Sequence, residues 1–268
     1  MSPDDSTLSG GDPAAPVIQM QGVAVGSMRD QSLLVAEEVN WTVARGAYWV
    51  IAGLQGAGKS DFLMMTGGLM PPVAGNYELL GEPMPIFDEP RLKQRLRLGL
   101  VFEGGQLFNH LTVAENVALP LRYHRNLSKA AAQPEVQQIL EALELAPWAD
   151  STPGAIGRNW QKRVGLARAL ALKPEVLLVD SPLTGLDLRH VNWWLSFLTQ
   201  LWKGHRLNEG RPTTLIVSAA DLRPWQRRAG QFAVLRDKHL AVLGGRDQLE
   251  SASAELVQEL LVREEEVD

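Results

Sequence analysis

Gly53-Leu54-Gln55-Gly56-Ala57-Gly58-Lys59-Ser60 decides how the rest of this chain is read. The pattern, Gly-x4-Gly-Lys-Ser, is that of a phosphate-binding loop. Its glycines let backbone N–H groups turn inward around phosphates. Lys59 is placed to reach the outer phosphates and Ser60 to ligate Mg²⁺. The bland alternative is a glycine-rich turn with a surface lysine, and the flanking sequence argues against it. Ala47–Ala52 is an apolar run that reads as a strand entering the loop. Ser60–Leu69 reads as a helix leaving it, closed by Gly67-Gly68 and Pro71-Pro72. Strand, loop and helix in that order form the setting the motif requires, and the helix adds its positive end to the site.

A second element supports the first. Val176-Leu177-Leu178-Val179 is a continuous apolar run, the signature of a buried parallel strand, and it ends at Asp180. An aspartate at the C-terminal end of such a strand can hold Mg²⁺. A lone aspartate there is as readily a helix cap, but beside Lys59 and Ser60 the metal reading is preferred.

Around these two points the chain reads as α/β. Val17–Val25 and Leu33–Val43 are half-buried strands, and Arg97–Phe102 is a short one. Helical spacing predominates from Thr112 to Leu172. Thr112 and Glu115 are spaced for a capping box. Pro134 is expected in the first turn of a helix running to Leu145, and Gln161–Leu172 forms another. Thr213–Val217, then Phe232–Leu235 with Leu240–Leu243, complete the sheet. Met1 to Pro16 reads as a disordered arm, and from Ser251 a helix is expected that ends in the acidic run Glu264–Asp268.

Composition sets limits. The 268 residues suit one large domain or a core with an insertion. Net charge is −5, from 31 acidic and 26 basic residues, the wrong sign for a nucleic-acid binder. Cysteine is absent, so disulfides, thiolate metal sites and iron–sulfur clusters are excluded for this chain, and a cytosolic location fits. No uncharged apolar stretch is long enough to cross a bilayer. Trp148, Trp193, Trp194, Trp202 and Trp225 read as core or subunit contacts rather than a cofactor box.

With the phosphate loop, further segments carry a resemblance. They are Leu100-Val101-Phe102-Glu103, Leu107-Phe108, Leu111 to Val117, Arg163 to Leu170, and Asp180 to Asp187. In order and spacing the chain from about Val17 to Gly245 resembles the ATP-binding-cassette (ABC) ATPases. The stretch Leu111–Arg122 resembles most the Mla-type ATPases of lipid-asymmetry transport. The resemblance implies a P-loop NTPase fold of ABC type. A mixed, largely parallel sheet would carry an antiparallel N-terminal β-subdomain and an inserted helical subdomain at about 105 to 172, all within 17 to 250. It also implies ATP and Mg²⁺ as ligands and a second cassette as partner. The site would use Gly53 to Ser60 and Asp61 for nucleotide, and Ser60, Asp180 and Glu103 for the metal. A permease would hold the chain peripherally at the inner face of the cell membrane.

Against the family pattern this chain departs at several functional positions. The catalytic glutamate position is Ser181, and losing a general base costs about 10²–10⁴-fold in rate. The switch histidine position is Ala220, and none of the five histidines (110, 124, 190, 205 and 239) falls in that segment. The Leu-Ser-Gly-Gly-Gln signature is Ile156-Gly157-Arg158-Asn159-Trp160, so a phosphate-binding serine and two glycines are gone. Arg158 either meets a phosphate or is a surface arginine on an altered loop. Glu103 stands where the family has glutamine; its carboxylate can ligate Mg²⁺ or act as a substitute base. Asp61 stands where a hydroxyl usually meets the α-phosphate, and a carboxylate a few Å from phosphate costs roughly 1–4 kcal/mol. Met28 occupies the neighbourhood of the usual adenine-stacking aromatic. Asp187 keeps the family's D-loop aspartate.

Three functions are compatible with this pattern. The first is a divergent transporter ATPase docked on a permease, with lipid as a candidate cargo and hydrolysis weak or lost. The second is a non-hydrolysing nucleotide-gated regulator or scaffold. The third, a soluble ABC protein of translation or DNA repair, suits a single cassette without long heptads least.

Overall fold

The computed structural model describes residues 15–84, 92–251 and 260. The expected N-terminal arm lies outside these residues up to position 14, and Pro16 already opens the first strand. The acidic run at 264–268 and all of the tail beyond Ser251 except Leu260 also lie outside them.

Four segments form an antiparallel sheet. Strand β1 (Pro16–Gly26) lies between β2 (Leu34–Ala44) and β4 (Ala74–Leu79), and β5 (Glu82–Pro83) lies outside β4. The second sheet has six strands in the order β10-β9-β3-β8-β7-β6. These are β10 (His239–Gly244), β9 (Gln231–Arg236), β3 (Tyr48–Ala52), β8 (Thr214–Ala219), β7 (Val176–Val179) and β6 (Leu98–Val101). The five neighbour pairs are all parallel except β10 with β9. Every residue of β3, β7 and β8 is buried, which is why these segments read as unbroken apolar runs.

Strand parity divides the core. Tyr48, Val50, Leu177, Val179, Leu215 and Val217 pack into one apolar cluster with the helices that follow. Trp49, Ile51, Val176, Leu178 and Ile216 face the other way, toward Phe62, Leu63 and Met65 and the antiparallel sheet. The six-stranded sheet is therefore sandwiched, and the C-terminal ends of its parallel strands gather the residues of interest along one edge.

The helices are α1 (Lys59–Thr66), α2 (Leu92–Arg95), α3 (Val113–His124), α4 (Lys129–Ala142), α5 (Arg158–Leu170), α6 (Leu188–Lys203) and α7 (Arg246–Ser251). The capping box at the start of α3 is present: Glu115 N donates to Thr112 Oγ1 at 3.2 Å and Thr112 N to Glu115 Oε2 at 3.1 Å. Buried Asn116 then holds the preceding loop, accepting from Phe108 N at 2.9 Å and donating to Thr112 O at 3.0 Å.

Pro134 corrects the expectation for the next helix. It lies inside α4, not in its first turn, because Ser128 caps the helix five residues earlier than a proline start requires, accepting from Ala131 N at 3.2 Å. The helix also stops at Ala142 instead of Leu145, since Glu144 takes a left-handed φ of 59°. Two elements go beyond the sequence reading. Strand β4 is polar along most of its length and shows little alternation. Helix α6 buries Trp194, Leu195, Phe197, Leu198 and Leu201, a 3.6-residue period among tryptophans that draw attention for other reasons.

Candidate nucleotide site at the ends of the parallel strands

The phosphate loop connects the end of β3 to α1, as its spacing predicts. Gly58 is the N-cap of α1 with φ 87°, and a Cβ there would lie 2.5 Å from Val35 Cβ, so both conformation and space demand glycine. Gly53 N donates to Ala219 O at 3.1 Å, which binds the loop to the end of β8. Lys59 is 8% exposed, and its Nζ donates to Gly53 O at 2.6 Å and Leu54 O at 2.8 Å. Two of three ammonium donors are thereby used inside the loop, leaving one for a ligand. Burial pushes the Lys59 ammonium below its ordinary 10.5, while Asp180 and then Glu103 pull it back up. Ser60 follows in the first turn of α1, half-buried.

Asp61 has a specific partner. Its Oδ1 accepts a 2.8 Å hydrogen bond from Met28 N, across 33 residues of sequence. The carboxylate therefore ties the loop containing Met28 to the first turn of α1, where the helix dipole favours a negative charge. Met28 itself is half-exposed beside it.

Asp180 is 6% exposed at the end of β7, and its backbone N donates to Val101 O at 2.8 Å. It is not a helix cap. Its Oδ1 accepts from Ser218 Oγ at 2.7 Å and from Ser181 Oγ at 3.3 Å. Ser218 Oγ in turn accepts from Ser181 N at 2.9 Å. Ser181 sits at a left-handed φ of 44°, and its hydroxyl is turned onto the aspartate. Ala220 is exposed on the bend after β8, with no titratable group to offer. Glu103 is exposed in the turn after β6.

The later turns of helix α5 fix that turn, a contact the sequence reading does not give. Arg168 donates to Gly105 O at 2.8 Å and Gln106 O at 2.9 Å. Gly165 lets the turn come close, since a Cβ on it would meet Gly105 Cα at 2.7 Å. The sequence signal was available in the pairing of two glycines, one in a loop and one mid-helix. Lys162, also on α5, donates to Thr184 O at 2.7 Å and is buried. Ser218 and Lys162 both escaped the sequence reading because their partners are 38 and 22 residues away.

The segment expected to correspond to the signature lies at the N-terminus of α5. Gly157 is the N-cap without a side-chain hydrogen bond, and Arg158 is exposed. Asn159 Nδ2 donates to Asp187 Oδ2 at 3.3 Å, and His190 Nδ1 lies 2.8 Å from the same oxygen. Asp187 also caps α6, accepting from His190 N at 3.0 Å. Trp160 sets its ring edge-on to His190, with centroids 5.6 Å apart. The Arg163 guanidinium lies 3.7 Å from the Trp193 ring centre and 4.6 Å from that of Trp160. These side chains join the start of α5 to the start of α6.

The residues present suit a nucleotide and Mg²⁺. The loop offers a cradle that only glycine fits at Gly58, a lysine with a donor to spare, and the Asp180 carboxylate, whose two hydrogen bonds fall on one oxygen. Among the described residues no group of three or more His, Cys, Asp or Glu side chains is arranged to hold a metal. Mg²⁺ at nucleotide sites draws most of its ligands from phosphates and water, so one carboxylate and Ser60 are compatible with it.

Comparison with known proteins agrees with this geometry. The family model described as ABC transporter matches residues 36–184, more than half of the chain. The chain belongs to the ABC transporter family. It is 30% identical over 230 residues to the intermembrane phospholipid transport system ATP-binding protein MlaF of Escherichia coli K12, covering 84% of this chain and 83% of MlaF. It is 31% identical over 210 residues to the methionine import ATP-binding protein MetN of Lacticaseibacillus paracasei, covering 78% of this chain and 58% of MetN. This ABC chain therefore spans little more than half the length of some relatives it matches. Among solved structures, the ATP-binding cassette MJ0796, a dimer bound to ADP and Pi, superposes with a TM-score of 0.73 at 26% identity, covering 83% of this chain and 96% of that one. CbiO1 from Clostridium perfringens, at 21% identity and a TM-score of 0.72 over 91% of this chain and 94% of its own, shows the shared fold. Within the ABC fold, the two sheets and the α-helices observed here match the expected architecture. Among the described residues no helix is long and apolar enough to cross a membrane.

Proposed function

We infer that this chain is the nucleotide-binding subunit of an ABC transporter, holding ATP with Mg²⁺ at Gly53–Ser60 and Asp180 and hydrolysing it very slowly or not at all. The observation that carries this reading is the Ser181 hydroxyl turned onto Asp180, with Ala220 exposed on the bend after β8. Bound ATP would supply the phosphoanhydride; the chain would supply Lys59 and the loop N–H groups to hold its phosphates, Ser60 and Asp180 to hold the metal, and no base where Ser181 stands. Glu103, exposed in the turn after β6, is a further carboxylate whose charge acts on Lys59.

The family relationship supports a second cassette and an integral-membrane permease as partners, and with them a peripheral position at the inner face of the membrane. Similarity to MlaF supports a lipid as the cargo. Residues 17–250 would form the cassette, with the helices between about 105 and 172 as its inserted part. A specific observation favours a second reading, a nucleotide-gated regulatory or scaffold module: Asn159 and Trp160 are spent on Asp187 and His190 of their own chain. Calorimetric titration with Mg-ATP of wild type and Lys59→Ala tests the site. Binding should weaken by roughly 10- to 100-fold in the variant, as for loss of a charged hydrogen-bond donor. Steady-state hydrolysis in the ordinary range of the family, abolished by Lys59→Ala, would overturn the claim of slow turnover.

A further inference from the structure

Asp61 follows the phosphate loop directly, yet its carboxylate is engaged elsewhere. Its Oδ1 accepts from Met28 N at 2.8 Å, across 33 residues of sequence, and so reaches the loop between β1 and β2. That loop, residues 27–33, is closed on itself. Ser27 N donates to Leu33 O at 2.8 Å, Leu33 N to Asp30 O at 3.0 Å and Ser32 N to Asp30 Oδ1 at 3.0 Å. Gly26 lets it fold back, since a Cβ there would meet Gln31 O at 2.6 Å. Among the described residues, the bond from Met28 to Asp61 is the hydrogen bond that ties the loop to another element.

Packing fixes the same place a second time. Val35, just beyond the loop on β2, packs against Gly58, the N-cap of α1. The loop therefore stands over the start of the helix at which the phosphates would lie. It is polar at Arg29, Asp30, Gln31 and Ser32 but carries two large apolar side chains in the open, Met28 at 52% and Leu33 at 61% exposure. A bare triphosphate seated in Gly53–Ser60 has no use for them. A nucleoside has, because its base has apolar faces that gain by leaving water, and Met28 offers a polarisable surface beside the site. Asp61 thus acts in two opposite directions. Its charge repels phosphate, while its hydrogen bond holds Met28 where a base can rest.

We propose, on the nucleotide-site reading above, that Asp61 is a positioning residue for the nucleoside half of the ligand. By holding loop 27–33 against the start of α1 it makes the site favour a nucleoside triphosphate over bare triphosphate.

Calorimetric titration of the full chain with Mg-ATP and with magnesium tripolyphosphate tests this, for wild type, Asp61→Ala, Asp61→Asn and Met28→Ala. The quantity read is the ratio of the two affinities, which a change confined to the phosphate loop or to its charge would leave alone. Wild type should bind Mg-ATP more tightly than tripolyphosphate by about fivefold or more. Asp61→Ala should lower that ratio by about fivefold, the worth of one hydrogen bond, with tripolyphosphate affinity unchanged or raised. Asp61→Asn, which keeps the accepting oxygen without the charge, should keep the wild-type ratio. Wild type that binds both ligands equally, an alanine variant in which both affinities move by the same factor, or an asparagine variant whose ratio falls like that of alanine overturns the proposal and leaves the phosphate site standing. If Asp61→Ala does not fold, Met28→Ala decides, since it keeps the backbone N–H and removes the apolar surface: a lowered ratio supports the proposal and an unchanged one overturns it. Wild type that binds neither ligand overturns the nucleotide-site reading, and this inference with it.

Discussion

Ser218 Oγ donates a 2.7 Å hydrogen bond to Asp180 Oδ1, joining adjacent parallel strands at the point where the metal would be held. Ser218 is fully buried and Asp180 nearly so. One hydroxyl thus orients the carboxylate and, through Ser181 N at 2.9 Å, the first residue of the following turn. Removing it leaves a buried carboxylate short of a donor. Ser218→Ala should destabilise the chain by about 1–3 kcal/mol, read as a lower midpoint in urea unfolding. An unchanged midpoint would mean that water replaces the hydroxyl.

Ser181→Glu places a carboxylate where the family pattern has its base. It does not return a partner at Ala220, nor a signature able to face a phosphate, since Asn159 and Trp160 are engaged with Asp187 and His190. Steady-state phosphate release by this variant should stay within about tenfold of wild type, far short of the 10²–10⁴-fold that a restored general base contributes. Recovery across that range would show that the base alone is missing.

Gly165→Ala addresses the contact between α5 and the Glu103 turn. The added Cβ would meet Gly105 Cα at 2.7 Å, and Gly105, with φ 77°, is itself constrained by Gln161 O. Alanine favours the helix by up to about 1 kcal/mol, but overpacking against backbone costs about 1–3 kcal/mol. Net destabilisation is expected, together with displacement of Glu103. Denaturant unfolding reads the first, and metal dependence of nucleotide affinity reads the second.

Glu175 links the loop before β7 to two arginines. Burial alone would raise its carboxyl, but hydrogen bonds from Arg97 at 2.6 Å and from Arg45 outweigh it, and the group lies below its ordinary 4.5. A depressed folded value stabilises the protein above the unfolded value. That contribution fades as pH falls from about 4.5 through the lower folded value. Glu175→Gln should therefore lower stability at pH 7 and flatten its fall below pH ~4.5, measured by urea unfolding at both pH values. A parallel loss in variant and wild type at acid pH would remove Glu175 from the account.

Most of the six-stranded sheet was legible because its parallel strands are buried on both faces and leave unbroken runs such as Val176–Val179. The phosphate loop was legible because its geometry needs particular residues at fixed offsets, as Gly58 against Val35 shows. Strand β4 was not, since a short strand with only Tyr77 and Leu79 buried has little periodic signal. Pro134 misled because a proline suits a helix start, and Ser128 offers a better cap upstream.

The sequence by itself determined the fold family and the phosphate-loop pattern, since each depends on residue type at a local spacing. Tertiary structure alone decided what the substitutes do. Asp61 meets Met28 N across 33 residues, Ser218 meets Asp180 across 38, and Lys162 meets the turn after Asp180 across about 20. Hydrogen bonds and buried charges act over a few Å, and only folding brings residues so far apart in the chain within that reach.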